Sequence, residues 1–495
     1  MPGHDVFGAF EGFSSMAPSA IAVAGALVLL AVWYFRTWYR LRHIPGPTLN
    51  AISILPMQLM TRGGKLSFMS KELGDKYGPL VRVGPNEVLF GDADTYRKIS
   101  AVRSDFTKGP WYELAKVVPD QHSLFSMRDD EQRKELRAKL SEGYAGRDNG
   151  GFEPGVDKMV AQFVDLVESK YVSTATDYRP IEFSHKSQYF ALDVIGQLAF
   201  GEALGFLAND EDLWGYVSTN DQVFPALALM LNIPHVGIMM QRWPFSKLLP
   251  FSSDEYGFGK LMHVAQRLAD KKIESEEDSK GTMVRHHLRN GVTYKELLAE
   301  IFLELLNCHI YPHDHALPPQ HPRNSKRTPP SPITDTEARD LPYLQAVIKE
   351  GIRMYPPSTG LNYKQVAKGG AELCGYYLPE GTQLGVNVQK LMRSKETFGI
   401  DADVFRPERW LEAAADEERF KEMSDVVELA FGYGRFQCLG KTIAYMELNK
   451  IFVELLRRFD FAVVKPQEPL NLYDAAFWVT TDFWLRVTRR PDIGA

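Results

Sequence analysis

The stretch FGYGRFQCLG, residues 431–440, runs without a break into KTIAYMELNKIFVELLRRF. In the second segment Ile443, Met446, Ile451, Leu455 and Phe459 recur at helical spacing and predict a helix over 439–459. Cys438 then stands at the mouth of that helix, where backbone N–H groups and the helix dipole favour a thiolate over a thiol. Gly432, Gly434 and Gly440 remove side chains from a loop that must lie close to something flat. A cysteine presented in this way is equipped to ligate a metal. A buried structural cysteine in a glycine-rich loop is the plainer reading of the same residues.

Working outward, LPYLQAVIKEGIRMYPP (341–357) places Glu350 and Arg353 three residues apart on one helical face, and FRPERW (405–410) adds Arg409. Spacing alone makes the first two a solvated surface pair worth ~0.3 kcal/mol. Order and context change that reading. At Phe431, Gly432, Gly434, Arg435, Cys438 and Gly440 the decapeptide resembles the ligand loop of the haem-thiolate monooxygenases, the cytochromes P450. The resemblance extends from a proline hinge near residue 45 to the last β-prone run, and SPITDTEARDLPYLQAVIKEG with FRPERW is most similar to the fungal pisatin-demethylase-like branch.

The resemblance implies a mainly α fold with small β-sheets, and haem b as cofactor with Cys438 as its axial thiolate, pushing electron density toward O–O cleavage. It implies propionate contacts from Arg435, a bidentate task that suits guanidinium. In RKELRAKLSEGYAG (133–146) it implies further contacts from Arg137 and from Arg133, which replaces the usual Trp or His, and Lys364 in YKQV matches another basic contact. Phe431, Gly432 and Gly440 belong to the cofactor loop. Glu350, Arg353 and Arg409 correspond to a buried triad supporting that loop; buried, it must be fully hydrogen-bonded, because an unpaired member costs several kcal/mol.

The family's long central helix carries small residues followed by an acid and a Thr that deliver protons to bound dioxygen, and this sequence lacks that pattern. TYKELLAEIFLEL (293–305) has the right periodicity, but LNCHIYPHDHALPPQHPRNSKRTPP (306–330) brings four His and six Pro into 25 residues, incompatible with a helix interior. Asp335-Thr336 lies too close to Glu350 to substitute. Three readings stay open for 306–330: an out-of-frame or mis-spliced translation, a lineage that has lost oxygen activation, or a metal site from His309, His313, His315 and His321, whose spacing Pro312 interrupts.

Composition bounds the rest. The 495 residues are 44% hydrophobic and 24% charged, ordinary for a folded chain, and a net charge of -6 with no basic stripe argues against a nucleic-acid partner. Three cysteines, Cys308, Cys374 and Cys438, are too few for a disulfide framework. APSAIAVAGALVLLAVWYF (17–35) is uncharged, matches a hydrocarbon core of ~30 Å, and is followed by Arg36, Arg40 and Arg42. The expected organisation is therefore a lumenal segment 1–16, a transmembrane anchor 17–35, a basic and Pro-rich hinge 36–47 through Ile44-Pro45-Gly46-Pro47, and a catalytic domain 48–495. Helices are expected over 129–145, 155–171, 184–200, 256–272 and 335–355, with β-prone runs at 77–91, 376–388 and 472–490.

Residues 223–251, rich in Leu, Met and Phe, correspond by resemblance to the roof over the cofactor pocket, with Phe477 and Trp478 as further lining candidates; ordinary core packing is the alternative. The expected activity is insertion of one oxygen atom from dioxygen (hydroxylation, epoxidation or demethylation) into a lipophilic small molecule, in fungal secondary metabolism. Detoxification, or a catalytically impaired haem protein, is the alternative. No flavin or dinucleotide fingerprint is visible, so electrons are expected from NADPH through a separate flavin-containing NADPH–cytochrome P450 reductase, at the endoplasmic reticulum membrane with the body facing the cytosol.

Overall fold

The computed structural model describes residues 18–116, 118, 121–146, 151–242, 244–245, 257–274, 282–307, 331–474 and 476–491. The apolar N-terminal run forms α1 (Pro18–Arg40), long and apolar enough to cross a membrane and with nearly all its side chains exposed. It continues past the expected end at residue 35 because Arg36, Thr37, Trp38 and Tyr39 are compatible with a helix and nothing before Pro45 breaks it. The proline hinge is not a free connector. Leu41 and Ile44 are buried, Arg82 N–H donates to Pro45 O at 2.8 Å, and a Cβ on Gly46 would stand 2.4 Å from Arg82 O.

The body is built mainly of helices whose caps can be read residue by residue. α2 (Asp130–Ala145) starts where Asp129 accepts the N–H groups of Glu131 and Gln132, and ends at Gly146 in the left-handed region. α3 (Glu153–Leu166) passes into a wider turn, Val167–Tyr171. α4 (Phe183–Phe200) is capped by Glu182 on the His185 N–H and is buried on nearly all sides. α5 (Tyr216–Leu231) and α6 (Tyr294–Asn307) follow, then α7 (Pro342–Met354) and α8 (Lys441–Leu456). Phe163, Phe190, Leu297, Phe302 and Ile451 from α3, α4, α6 and α8 meet in one large apolar core.

Two expected helices are corrected. The 335–355 segment divides into Asp335–Arg339 and α7, since Pro342 lacks an N–H and holds Leu341 extended (φ −95, ψ 101). The 439–459 helix stops at Leu456, and Phe459 instead opens a strand, Phe459–Val463, that pairs antiparallel with Trp484–Arg489. The largest sheet joins β1 (Leu80–Arg82), β2 (Glu87–Phe90), β3 (Thr107–Lys108), β4 (Lys364–Gln365) and β5 (Gln383–Val386) in the order β1-β2-β5-β4-β3. In the β3–β4 pair Lys108 lies directly opposite Lys364.

Candidate active site

The ten residues before α8 fold back on themselves. Short 3-10 turns occupy Leu429–Phe431 and Gly434–Phe436, and the Cys438 N–H donates to Phe431 O at 2.7 Å. Gly432 (φ 79) and Gly434 (φ 56) are required by this path: a Cβ on either would lie 2.5 Å from a backbone oxygen, of Phe436 and Ser100 respectively. Gly440 is under no such demand from the chain itself. It caps α8 at φ −80, and a Cβ there would touch Cys438 Sγ and Tyr144 only at 3.9 Å, so within the chain nothing demands a glycine.

Cys438 opens into a cavity of about 490 Å³. Burial pushes its thiol up; the Gly440 and Lys441 N–H groups and the Arg137 charge pull the other way without overcoming it. The N–H groups at the helix mouth favour the thiolate, as the sequence suggests, and desolvation opposes them. A coordinated metal deprotonates a thiol outright, so the position suits a metal ligand better than a free nucleophile.

Phe431, Gly432, Arg435 and Gly440 line the same cavity, as do Arg133, Arg137 and Lys364. Two of these cations clasp the loop from α2: Arg133 donates to Arg435 O at 2.6 Å and Arg137 to Gln437 O at 2.7 Å. Arg435 reaches Asp130 at 3.2 Å and donates to Phe106 O, while its Nε, buried, has no acceptor among the described residues. Lys364 Nζ sits 3.4 Å from the Phe436 ring centroid and 3.4 Å from the Tyr112 hydroxyl.

A cation that the sequence did not single out, Lys108, faces Lys364 across the β3–β4 pair and donates to Leu124 O and Phe125 O at 3.0 and 2.6 Å. Burial and the Arg133 charge push Lys108 down to about 7, and burial with the charges of Lys108, Arg133 and Arg435 takes Lys364 well below its ordinary value. Like charges directly opposite on a sheet repel, and here three guanidinium groups stand beside them.

Among the described residues of this cluster Asp130 is the only carboxylate paired to a guanidinium. A planar group bearing a metal and two carboxylates complements a thiol beside a cluster of basic side chains, and haem is such a group; the residues fit it. No His, Cys, Asp or Glu cluster able to hold a bare metal ion occurs among the described residues, and the four His of 306–330 lie outside them.

The triad residues lie away from the cavity. Glu350 accepts Arg353 Nε and Nη2 at 2.9 and 2.8 Å, Arg409 Nε at 3.0 Å, Trp410 Nε1 at 3.0 Å and the Arg406 N–H at 2.8 Å. The remaining guanidinium donors reach the carbonyls of Met392, Phe398, Ala402 and Val404. Burial raises the Glu350 carboxyl, but the Arg353, Arg406 and Arg409 contacts outweigh it and hold the group below its ordinary value. The three side chains thereby fasten residues 392–410, which lead into the cysteine loop, onto α7.

The apolar wall includes Ile99, Phe125, Ile195, Ile352, Val386 and Phe477. Trp478 is corrected: strand alternation turns it away from the cavity, where its Nε1 donates to Pro356 O at 2.9 Å. The described part of 223–251 does not line the cavity; Phe224 packs on Phe477 from behind, with ring centroids 6.0 Å apart. The wall also holds acids not foreseen as site residues, Glu300 and Glu304 on α6 and Glu447 on α8. Their one sequence signal is acidic residues i,i+4 on an otherwise apolar helix.

The family model for Cytochrome P450 matches residues 323–482. The cytochrome P450 monooxygenase ABA1 of Pyricularia oryzae is 34% identical over 494 residues, covering 94% of this chain and 96% of that one. The cytochrome P450 monooxygenase abl1 of Leptosphaeria maculans is 33% identical over 485 residues, covering 93% and 85%. The cytochrome P450 monooxygenase cicH of Emericella nidulans is 28% identical over 497 residues, covering 94% and 98%. Likeness of this extent, to chains matched along nearly their whole length, shows the family: the chain belongs to the cytochromes P450, the haem-thiolate monooxygenases.

Proposed function

We propose that Cys438 ligates the haem iron, that Arg435, Arg137, Arg133 and Lys364, joined by Lys108, hold the propionates, and that the enzyme oxidises a lipophilic small molecule of fungal secondary metabolism. The observation that carries this reading is the thiol and five basic side chains, only Arg133 and Arg435 of them ion-paired among the described residues, converging on one cavity with a largely apolar wall. Bound there, haem supplies dioxygen activation. The chain's own groups do the rest: the α2 guanidiniums fix the cysteine loop, the glycines at 432 and 434 let that loop turn, and the apolar wall excludes water and receives a greasy substrate.

Hydroxylation, epoxidation and demethylation are all open to such a site. Electrons come from NADPH through a separate flavin-containing NADPH–cytochrome P450 reductase. α1 serves as a single-pass anchor in the endoplasmic reticulum membrane, with the basic residues after it keeping residues 48–495 on the cytosolic side. A second reading, a haem protein impaired in oxygen activation, draws on the His- and Pro-rich composition of 306–330.

The deciding experiment is a reduced carbon-monoxide difference spectrum of the purified full-length chain and of Cys438→Ser. The thiolate signature is expected in the first and absent from the second; its survival in Cys438→Ser would overturn the ligand assignment. For the anchor, deleting residues 1–43 is expected to release most of the protein from membranes, and firm integral behaviour of the truncated chain would refute it.

A further inference from the structure

Two carboxylates one helical turn apart, Glu300 and Glu304, stand on the face of α6 that forms a wall of the cavity. They are held differently. Glu300 accepts the Leu124 N–H and faces the cationic end, where Lys108 is bonded to the carbonyls of Leu124 and Phe125. Glu304 accepts a hydrogen bond from the Tyr144 hydroxyl. Tyr144 is on the last turn of α2, the helix whose Arg133 and Arg137 clasp the cysteine loop. Its ring stands beside that loop, since a Cβ on Gly440 would lie 3.9 Å from both Tyr144 Cε1 and Cys438 Sγ. A phenol and a carboxyl therefore join the Cys438 loop to α6 across the edge of the cavity.

Burial pushes Glu304 up to about 7, moderated by the Tyr144 hydrogen bond, and pushes Glu300 up to about 8. Burial and the neighbouring Glu304, Glu300 and Cys438 hold Tyr144 well above its ordinary value, so at working pH it keeps the proton that it donates to Glu304. Two more titratable groups stand nearby: His287, which packs on the Tyr144 ring at a centroid distance of 5.8 Å and is pushed down to about 4 by burial, and Glu447 on α8, pushed up to about 8.

Monooxygenation needs protons at the cavity. One atom of dioxygen enters the substrate as R–OH and the other leaves as water; the C–H bond supplies two electrons, the redox partner supplies two, and two protons come from solvent. The balance is R–H + O₂ + 2 e⁻ + 2 H⁺ → R–OH + H₂O. We propose that Glu304 is the proton-donating residue of this cavity, giving its carboxyl proton to the oxygen that leaves as water and regaining one from solvent, with Tyr144 as the positioning residue that aims it. The proposal rests on the monooxygenase reading above and assigns to α6 the task for which the sequence offers no acid–Thr pair.

The test uses the full-length, haem-loaded chain with Glu304→Gln, Glu300→Gln and Tyr144→Phe, each first required to keep the carbon-monoxide thiolate spectrum. Infrared difference spectra across a pH titration are expected to show a protonated-carboxyl C=O band with a midpoint near pH 7, lost in Glu304→Gln and kept in Glu300→Gln. In Tyr144→Phe the midpoint is expected to move upward, because the hydrogen bond that lowers it is gone. In turnover, Glu304→Gln is expected to go on consuming electrons while product per electron pair falls on the order of 10²-fold, the difference appearing as reduced oxygen species. An unchanged infrared band, or wild-type coupling in Glu304→Gln, overturns the proposal and leaves the haem reading standing. Absence of the thiolate spectrum in the wild-type chain overturns the haem reading and, with it, the role proposed for Glu304.

Discussion

Two of the molecule's clusters of buried charge are built on opposite terms. Around Glu350 every charge is answered inside the protein: its carboxylate meets Arg353 and Arg409, the Asp401 carboxylate meets Arg409 as well, and the remaining donors end largely on carbonyl oxygens. Around the cavity, Lys108, Lys364, Arg133, Arg137 and Arg435 converge with Asp130 as their paired carboxylate. The first cluster is closed and structural. The second, on the function proposed above, is completed by a ligand that brings negative charge, because taking like charges out of water together is unfavourable unless something compensates them. Balance of charge within the chain thus separates a scaffold from a binding site, even though both are rich in arginine.

The sharpest way to break this contrast is to open the closed cluster. Glu350→Ala leaves Arg353 and Arg409 buried without their carboxylate and is expected to cost about 3–5 kcal/mol, enough to abolish accumulation of folded protein. Expression level and thermal unfolding would check it, and a folded, fully stable Glu350→Ala protein would show that the triad is not the closed unit described.

Next in size is the response to pH, where the two clusters take opposite limbs. The depressed Glu350 carboxyl contributes stability present above the ordinary carboxylate value of ~4.3 and lost as pH falls through its folded value. Lys108, lowered to about 7, makes the haem-free protein gain stability as pH rises from about 7 toward ~10.4, because in that window the unfolded chain binds more protons than the folded one. Chemical denaturation of haem-stripped protein at stepped pH measures both limbs. With haem bound, the alkaline gain is expected to vanish as propionates restore the lysine proton.

A smaller effect sharpens the contrast within the open cluster. Lys364→Met is expected to weaken haem binding about tenfold, the loss of one charge-assisted contact worth roughly 1.5 kcal/mol. The haem-free form of the same variant is expected to gain about 0.2–1 kcal/mol from relief of the Lys108–Lys364 opposition. Opposite signs for the two states, read from haem titration and from unfolding of stripped protein, mark a ligand site. Equal destabilisation of both would make Lys364 structural.

How much of this was legible in the sequence depends on how far apart the cooperating residues lie. The cysteine loop could be read because its path depends on glycines within a few residues of Cys438, and positive φ at 432 and 434 is a local demand. α2 and α6 could be read from periodicity. The helix boundaries that failed did so where a short-range rule met a longer-range one. Phe459 keeps the helical spacing of α8 yet pairs with Arg489 in a sheet, and Pro342 interrupts a pattern whose apolar spacing alone continues.

The resemblance placed Arg133, Arg137 and Lys364 near the cofactor, but nothing local marked Lys108, whose meaning comes from a partner 256 residues away at Lys364. Tyr144 and Glu304 are likewise unremarkable apart, and meet only because α2 and α6 pack at the cavity's edge. By itself, then, the sequence determined the family, the cysteine loop, the long apolar N-terminal helix and the main helices, all of them properties of neighbouring residues. The tertiary structure alone decided which charges are answered and which face a cavity, because electrostatic balance is a sum over everything within a few ångströms, whatever its position along the chain.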